Sequence, residues 1–76
     1  MEYFPGISID PDIRFGKPCL AGTRIDVATV VSALASGDSF EDVEREYVLS
    51  RAQVLAALSY AAHITSHQAP AVRRAS

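Results

Sequence analysis

The sequence predicts an α+β domain: a short N-terminal β-ribbon followed by a three-helix bundle of the helix-turn-helix kind. Three observations carry this expectation. Short alternating apolar stretches, cut by proline and glycine, occupy residues 7–25. Val27, Val30, Val31 and Leu34 then recur at i, i+3, i+4 and i+7, the apolar stripe of a helix. Two more helical patterns follow, joined by a brief turn around Val48 and Leu49.

In the ribbon, Ile7-Ser8-Ile9-Asp10 alternates with the period of a half-buried strand, and Asp10-Pro11-Asp12 is a turn signal. Ile13-Arg14-Phe15 alternates again, with Ile13 and Phe15 on one face. Gly16-Lys17-Pro18 breaks the ribbon, Cys19-Leu20-Ala21 supplies a third extended piece, and Gly22-Thr23 turns into Arg24-Ile25. Asp26 has the chemistry of an N-cap for helix one, and Gly37 stands where a left-handed stop belongs. Ser39 caps helix two, whose buried face is Phe40, Val43 and Tyr47. Ser50 caps helix three, with Val54, Leu55, Ala57, Leu58, Ala61 and Ala62 turned inward. The pattern stops at Ser66, so the domain is assigned to residues 1–65, ribbon 7–26 and bundle 27–65, with 66–76 as a flexible tail.

At 76 residues the chain is a single domain. A domain this small buries only roughly 60% of its unfolded surface. Its one cysteine, Cys19, excludes an internal disulfide, and no Cys/His cluster has zinc-finger spacing. A second copy is the expected staple, with Ile7, Ile9, Ile13 and Phe15 burying the ribbon's apolar face across a two-fold homodimer. No apolar run is long enough for a bilayer and no leader-like start is present, so no membrane role is expected and the cytoplasm is the assigned compartment.

A formal net charge of −2 argues against nucleic-acid binding as the dominant property of the chain alone. It leaves room for a local site. In a helix-turn-helix, the first turn of the second helix meets base edges, here Ser50, Arg51 and Gln53, with Arg45 and Lys17 available to phosphates. Against this stands the acid-rich helix two, with Glu41, Asp42, Glu44 and Glu46. A helical-wheel reading turns Ala52, Ala56, Ser59, Tyr60 and His63 outward, a face suited to a protein partner with Tyr60 as anchor, or simply a solvated face. Arg24 is expected to pair with Asp10, Asp12 or Asp26. Catalysis is not expected, because the carboxylates sit on turns and exposed helix positions. His63 and His67, four apart, lack a third ligand, so no metal or other cofactor is expected.

The strings Ile9-Asp10-Pro11, Gly16-Lys17-Pro18, Gly22-Thr23-Arg24-Ile25-Asp26-Val27, Leu34-Ala35-Ser36-Gly37-Asp38-Ser39 and Val54-Leu55-Ala56-Ala57-Leu58-Ser59-Tyr60-Ala61 resemble the domain of unknown function 433 family over roughly residues 7 to 63. The resemblance implies a β-ribbon, a homeodomain-like unit, and a tendency to dimerise. It further implies the antitoxin role of a type II toxin–antitoxin pair, like the VapB-type partners of PIN-like ribonuclease toxins, with promoter DNA bound by the complex. On that footing Arg73 and Arg74 become candidate inhibitory residues that enter the toxin's acidic site, against the alternative of a terminus with no role. The runner-up is a stand-alone DNA-binding transcription regulator. Val48 departs from the family pattern, in which proline commonly precedes the leucine before helix three.

Overall fold

The computed structural model describes residues 2–68. The chain is α+β: a three-stranded antiparallel sheet in the order β1-β2-β3, followed by three helices. The strands are β1 (Glu2–Phe4), β2 (Ile7–Ser8) and β3 (Cys19–Leu20). Ile7 pairs with both Phe4 and Leu20, and Ser8 with Glu2 and Cys19. The sheet thus begins five residues before the expected ribbon, because Phe4-Pro5-Gly6-Ile7 folds a hairpin. Gly6 makes its turn at φ +81°, and the Glu2 carboxylate accepts its N–H at 2.6 Å.

Between β2 and β3 the structure departs from the expected strand over Ile13–Phe15. The Asp10 carboxylate accepts the Asp12 N–H at 2.9 Å and the Asp10 carbonyl accepts that of Ile13, which turns the chain early. Arg14, Phe15 and Gly16 then all take positive φ, at 52°, 58° and 81°. Three left-handed residues in succession form a tight turn and cannot lie in a sheet. The turn points the Arg14 guanidinium back to the start of the first helix.

The helices follow their encoded caps. α1 (Val27–Ala35) starts at Asp26, whose carboxylate accepts the Thr29 N–H at 2.8 Å. It ends with Gly37 N–H donating to the Leu34 carbonyl and Asp38 N–H to that of Ala33. α2 (Phe40–Tyr47) opens with a reciprocal box between Ser39 and Asp42. It closes on Val48 at φ 54°, a conformation closed to proline, whose ring holds φ near −65°. The turn is therefore not the one a proline at this position would make. α3 (Arg51–Gln68) runs 18 residues and passes three residues beyond the expected domain edge at 65.

The core lies where the sheet meets the helices. Ile7, Leu20, Val30, Val43 and Val54 are its largest fully buried side chains, closed by Val27, Leu49, Ala57 and Tyr60. Each large aliphatic residue there contributes roughly 1.5–3 kcal/mol by leaving water. Ile7, expected on a dimer face, is spent inside the monomer.

Candidate interaction surfaces

The first turn of α3 is fully engaged within the chain. Ser50 Oγ accepts the Gln53 N–H at 3.1 Å, while Gln53 Oε1 accepts the Ser50 N–H at 2.8 Å. Two of the three side chains offered for base readout, Ser50 and Gln53, are thus partners in a capping box. Arg51 donates to Glu44, reaches Glu41 at 3.3 Å, and lies over the Phe40 ring at 4.8 Å. Arg45 pairs with Asp42 at 2.7 Å. Glu41, Asp42 and Glu44 therefore serve as anchors for the cations of the helix pair. Lys17 is exposed at one end of an open polar groove along α1, which it shares with Arg14, Asp26, Asp38 and Glu46. Such mixed charge is no phosphate track.

The outward face of α3 is turned from the one the helical wheel suggests. Tyr60 is only 7% exposed, because β1 lies over it: Phe4 packs edge-on at 5.4 Å between ring centroids and Tyr3 at 6.3 Å. Burial pushes the Tyr60 phenol above its ordinary value, helped by Tyr3. His63 lies 5.0 Å from the Phe4 ring, and a Cβ placed on Gly6 would come within 2.9 Å of the Ala56 Cβ. The hairpin thus covers half the expected partner face. The signal for it was present in Tyr3-Phe4 followed by Pro5-Gly6, an aromatic pair before a turn. The face left to water is Ala52, Leu55, Ser59 and Ala62; Leu55 and Ala62, expected inward, are exposed, while Leu58 and Ala61 are half-buried.

Of the expected dimer set, Ile7 is fully buried in the core, Ile9 and Ile13 are half-buried and Phe15 is 97% exposed. Arg24 is exposed and makes no ion pair among the described residues. The Asp26 carboxylate is instead taken by Arg14, at 3.2 Å, a pairing that sequence reasoning missed because the left-handed turn that aims Arg14 is not a periodic feature. The Thr29 side chain and backbone amide, with the Arg14 guanidinium, hold the Asp26 carboxyl below its ordinary value against the opposing effect of burial. Buried Cys19 donates its S–H to the Lys17 carbonyl, and burial raises its thiol pKa further from reactivity. Among the described residues no group of three or more His, Cys, Asp or Glu side chains is placed to hold a metal ion, and no helix is long and apolar enough to cross a membrane. Arg73 and Arg74, and the side chain of His67, lie outside the described residues.

A short antiparallel sheet set on three capped helices defines a small α+β module. The chain belongs to the family described as Protein of unknown function (DUF433), whose model matches residues 7–61. It is 33% identical over 57 residues to Uncharacterized protein Rv2308 of Mycobacterium tuberculosis, covering 75% of this chain and 24% of that one. The crystal structure of Rv2018, also from Mycobacterium tuberculosis, is similar at 31% identity and a TM-score of 0.62, over 68% of this chain and 24% of that one. The chain therefore spans about a quarter of the length of either relative.

Proposed function

We propose that this chain is the antitoxin of a type II toxin–antitoxin module, which binds and inhibits a PIN-like ribonuclease and, as part of that complex, sits on its own operator. The observation that supports it best is the character of α3. From Ala52 to Val72 the sequence contains no Asp, Glu, Lys or Arg. A solvent-facing helix normally carries charge on its outer side, and one that lacks it is suited to burial against another chain. Ala52, Ser59 and Ala62 allow close backbone approach around Leu55, itself 48% exposed. Family membership and the acidic balance, suited to a partner with a basic RNA-binding surface, point the same way.

The test is co-purification of the full chain from its own cells, followed by assay of RNA cleavage by any PIN-like ribonuclease recovered with it, against the purified full chain and Leu55→Glu. The wild type should abolish cleavage at near-equimolar ratio. Leu55→Glu should keep its melting temperature and lose at least tenfold in affinity. A wild-type chain that leaves cleavage unchanged refutes the reading.

The three-residue connection at 48–50 between α2 and α3 favours a second reading, a stand-alone helix-turn-helix regulator. It requires a sequence-specific, salt-sensitive complex of the chain alone with duplex DNA, although Arg51 is already bound to Glu41 and Glu44.

A further inference from the structure

An apolar groove of about 330 Å³ runs between α1 and the second half of α3, with Pro18, Val27, Ala28, Val31, Ala61 and Ile64 in its walls. No charged side chain lines it. An apolar cavity of about 150 Å³ already admits benzene, so the groove has room for two side chains of the size of proline and valine. Ala28 also belongs to the open polar groove along α1, which takes in Asp38, just past the end of that helix, and Glu46 of α2. Both acids are exposed, and neither makes an ion pair among the described residues. An apolar seat thus adjoins two unanswered carboxylates.

The sequence past Gln68, outside the described residues, has the matching chemistry. Pro70, Ala71 and Val72 are apolar, and two cations, Arg73 and Arg74, follow them directly. Pro70 lacks the N–H that a helix would use and disfavours helical angles at Ala69, so the sequence opposes continuation of α3 along its axis. The reach is sufficient. Ile64 and Ala61 lie four and seven residues before Gln68, about 6 and 10 Å back along the helix. An extended chain advances about 3.3 Å per residue, which gives Val72 about 13 Å of travel from Gln68. Val31 lies four residues, about 6 Å, before the end of α1. Arg73 and Arg74 add about 7 Å of backbone and two long side chains, enough to bring their guanidinium groups to Asp38.

We infer that residues 70–74 fold back onto their own chain, with Pro70 and Val72 seated in the α1–α3 groove and Arg73 and Arg74 paired with Asp38 and Glu46. The tether selects this occupant. A segment joined to the groove's own helix is present at an effective concentration on the order of millimolar, which a separate peptide does not reach. Exposed ion pairs add little affinity, so the apolar seat supplies the hold and the arginines set the direction in which the segment lies. While docked, the segment withholds both the groove and the two arginines from any other ligand. The inference does not rest on the antitoxin reading.

The experiment is NMR on the full chain, labelled at methyl groups and backbone amides. The Val72 methyls should show nuclear Overhauser contacts to those of Val31 and Ile64, and the Val72 and Arg73 amides should have order parameters above about 0.6, the level below which backbone is flexible. Val72→Asp should abolish the rigidity at Arg73 and shift the amide signals of Ala28, Val31 and Ile64, with circular dichroism of the domain unchanged. Ala28→Arg, which blocks the groove from an exposed position on α1 and repels the two arginines, should free the segment equally. A mixture of labelled and unlabelled chains separates contacts within a chain from contacts between copies. Flexible order parameters at Val72 with no contact to Val31 or Ile64 in the wild type overturn the inference. Contacts found only between copies also overturn it, and give the groove to the same segment of a second chain.

Discussion

Asp26 joins the left-handed turn to α1, and its replacement is the sharpest test of how the two halves are held together. Its side chain is 4% exposed, with one oxygen on the Thr29 N–H and the other on Arg14. Asp26→Ala removes an N-cap, which costs about 1 kcal/mol and up to about 2. It also frees Arg14, whose side chain is 49% exposed, so that the lost pairing adds no more than about 0.5 kcal/mol after solvent screening. The sum is roughly 1.5–2.5 kcal/mol, or a fall in Tm of about 10 °C for a domain of this size. Asp26→Asn keeps the capping oxygen and should lose only the electrostatic part, about 0.5 kcal/mol at neutral pH. The two variants also differ in how acid acts on them. Because the folded carboxyl titrates below its unfolded value near 3.9, its contribution is fully present above about pH 4 and is lost as pH falls through the lower folded value. Asp42 is lowered too, chiefly by the Ser39 backbone amide, so the wild type has two sources of acid sensitivity. The difference between wild type and Asp26→Asn isolates the Asp26 share. Urea and thermal unfolding followed by circular dichroism between pH 2 and 7 measure both effects. An Asp26→Ala chain within about 0.5 kcal/mol of wild type, or an Asp26→Asn chain with the wild-type acid slope, would refute the reasoning.

Two other substitutions test the packing described above. Gly6→Ala forces a side chain onto a positive φ and against the Ala56 Cβ, and should destabilise by roughly 1–3 kcal/mol in urea titrations, with the β1 hairpin amides exchanging first. Arg51→Ala removes an exposed network between α2 and α3, and should leave the melting temperature nearly unchanged and any duplex DNA affinity of the chain unaltered; loss of sequence-specific binding would instead place this arginine on DNA.

Local chemistry made much of the fold legible. The stripe Val27, Val30, Val31, Leu34 specifies α1, and Asp26, Ser39 and Ser50 open their helices as their side-chain oxygens dictate. The candidate surfaces were less so. Ser50 and Gln53 carry groups that could read DNA or cap a helix, and the two uses look alike until the backbone donors are in place. Arg51 likewise suits a phosphate or a carboxylate, and it is the fold that brings Glu41 and Glu44 to it. Ile13–Phe15 alternates like a strand, yet the early Asp10 turn diverts it.

The sequence by itself determined the order of a β-ribbon and three helices and the helix starts, because each depends on groups within one turn of chain, and its strings from Ile9 to Ala61 carried the family. Tertiary structure decided which side of α3 is covered. Beyond Arg51 that helix carries no Asp, Glu, Lys or Arg to mark an outer face, and the covering of Tyr60 falls to Tyr3 and Phe4, over fifty residues away.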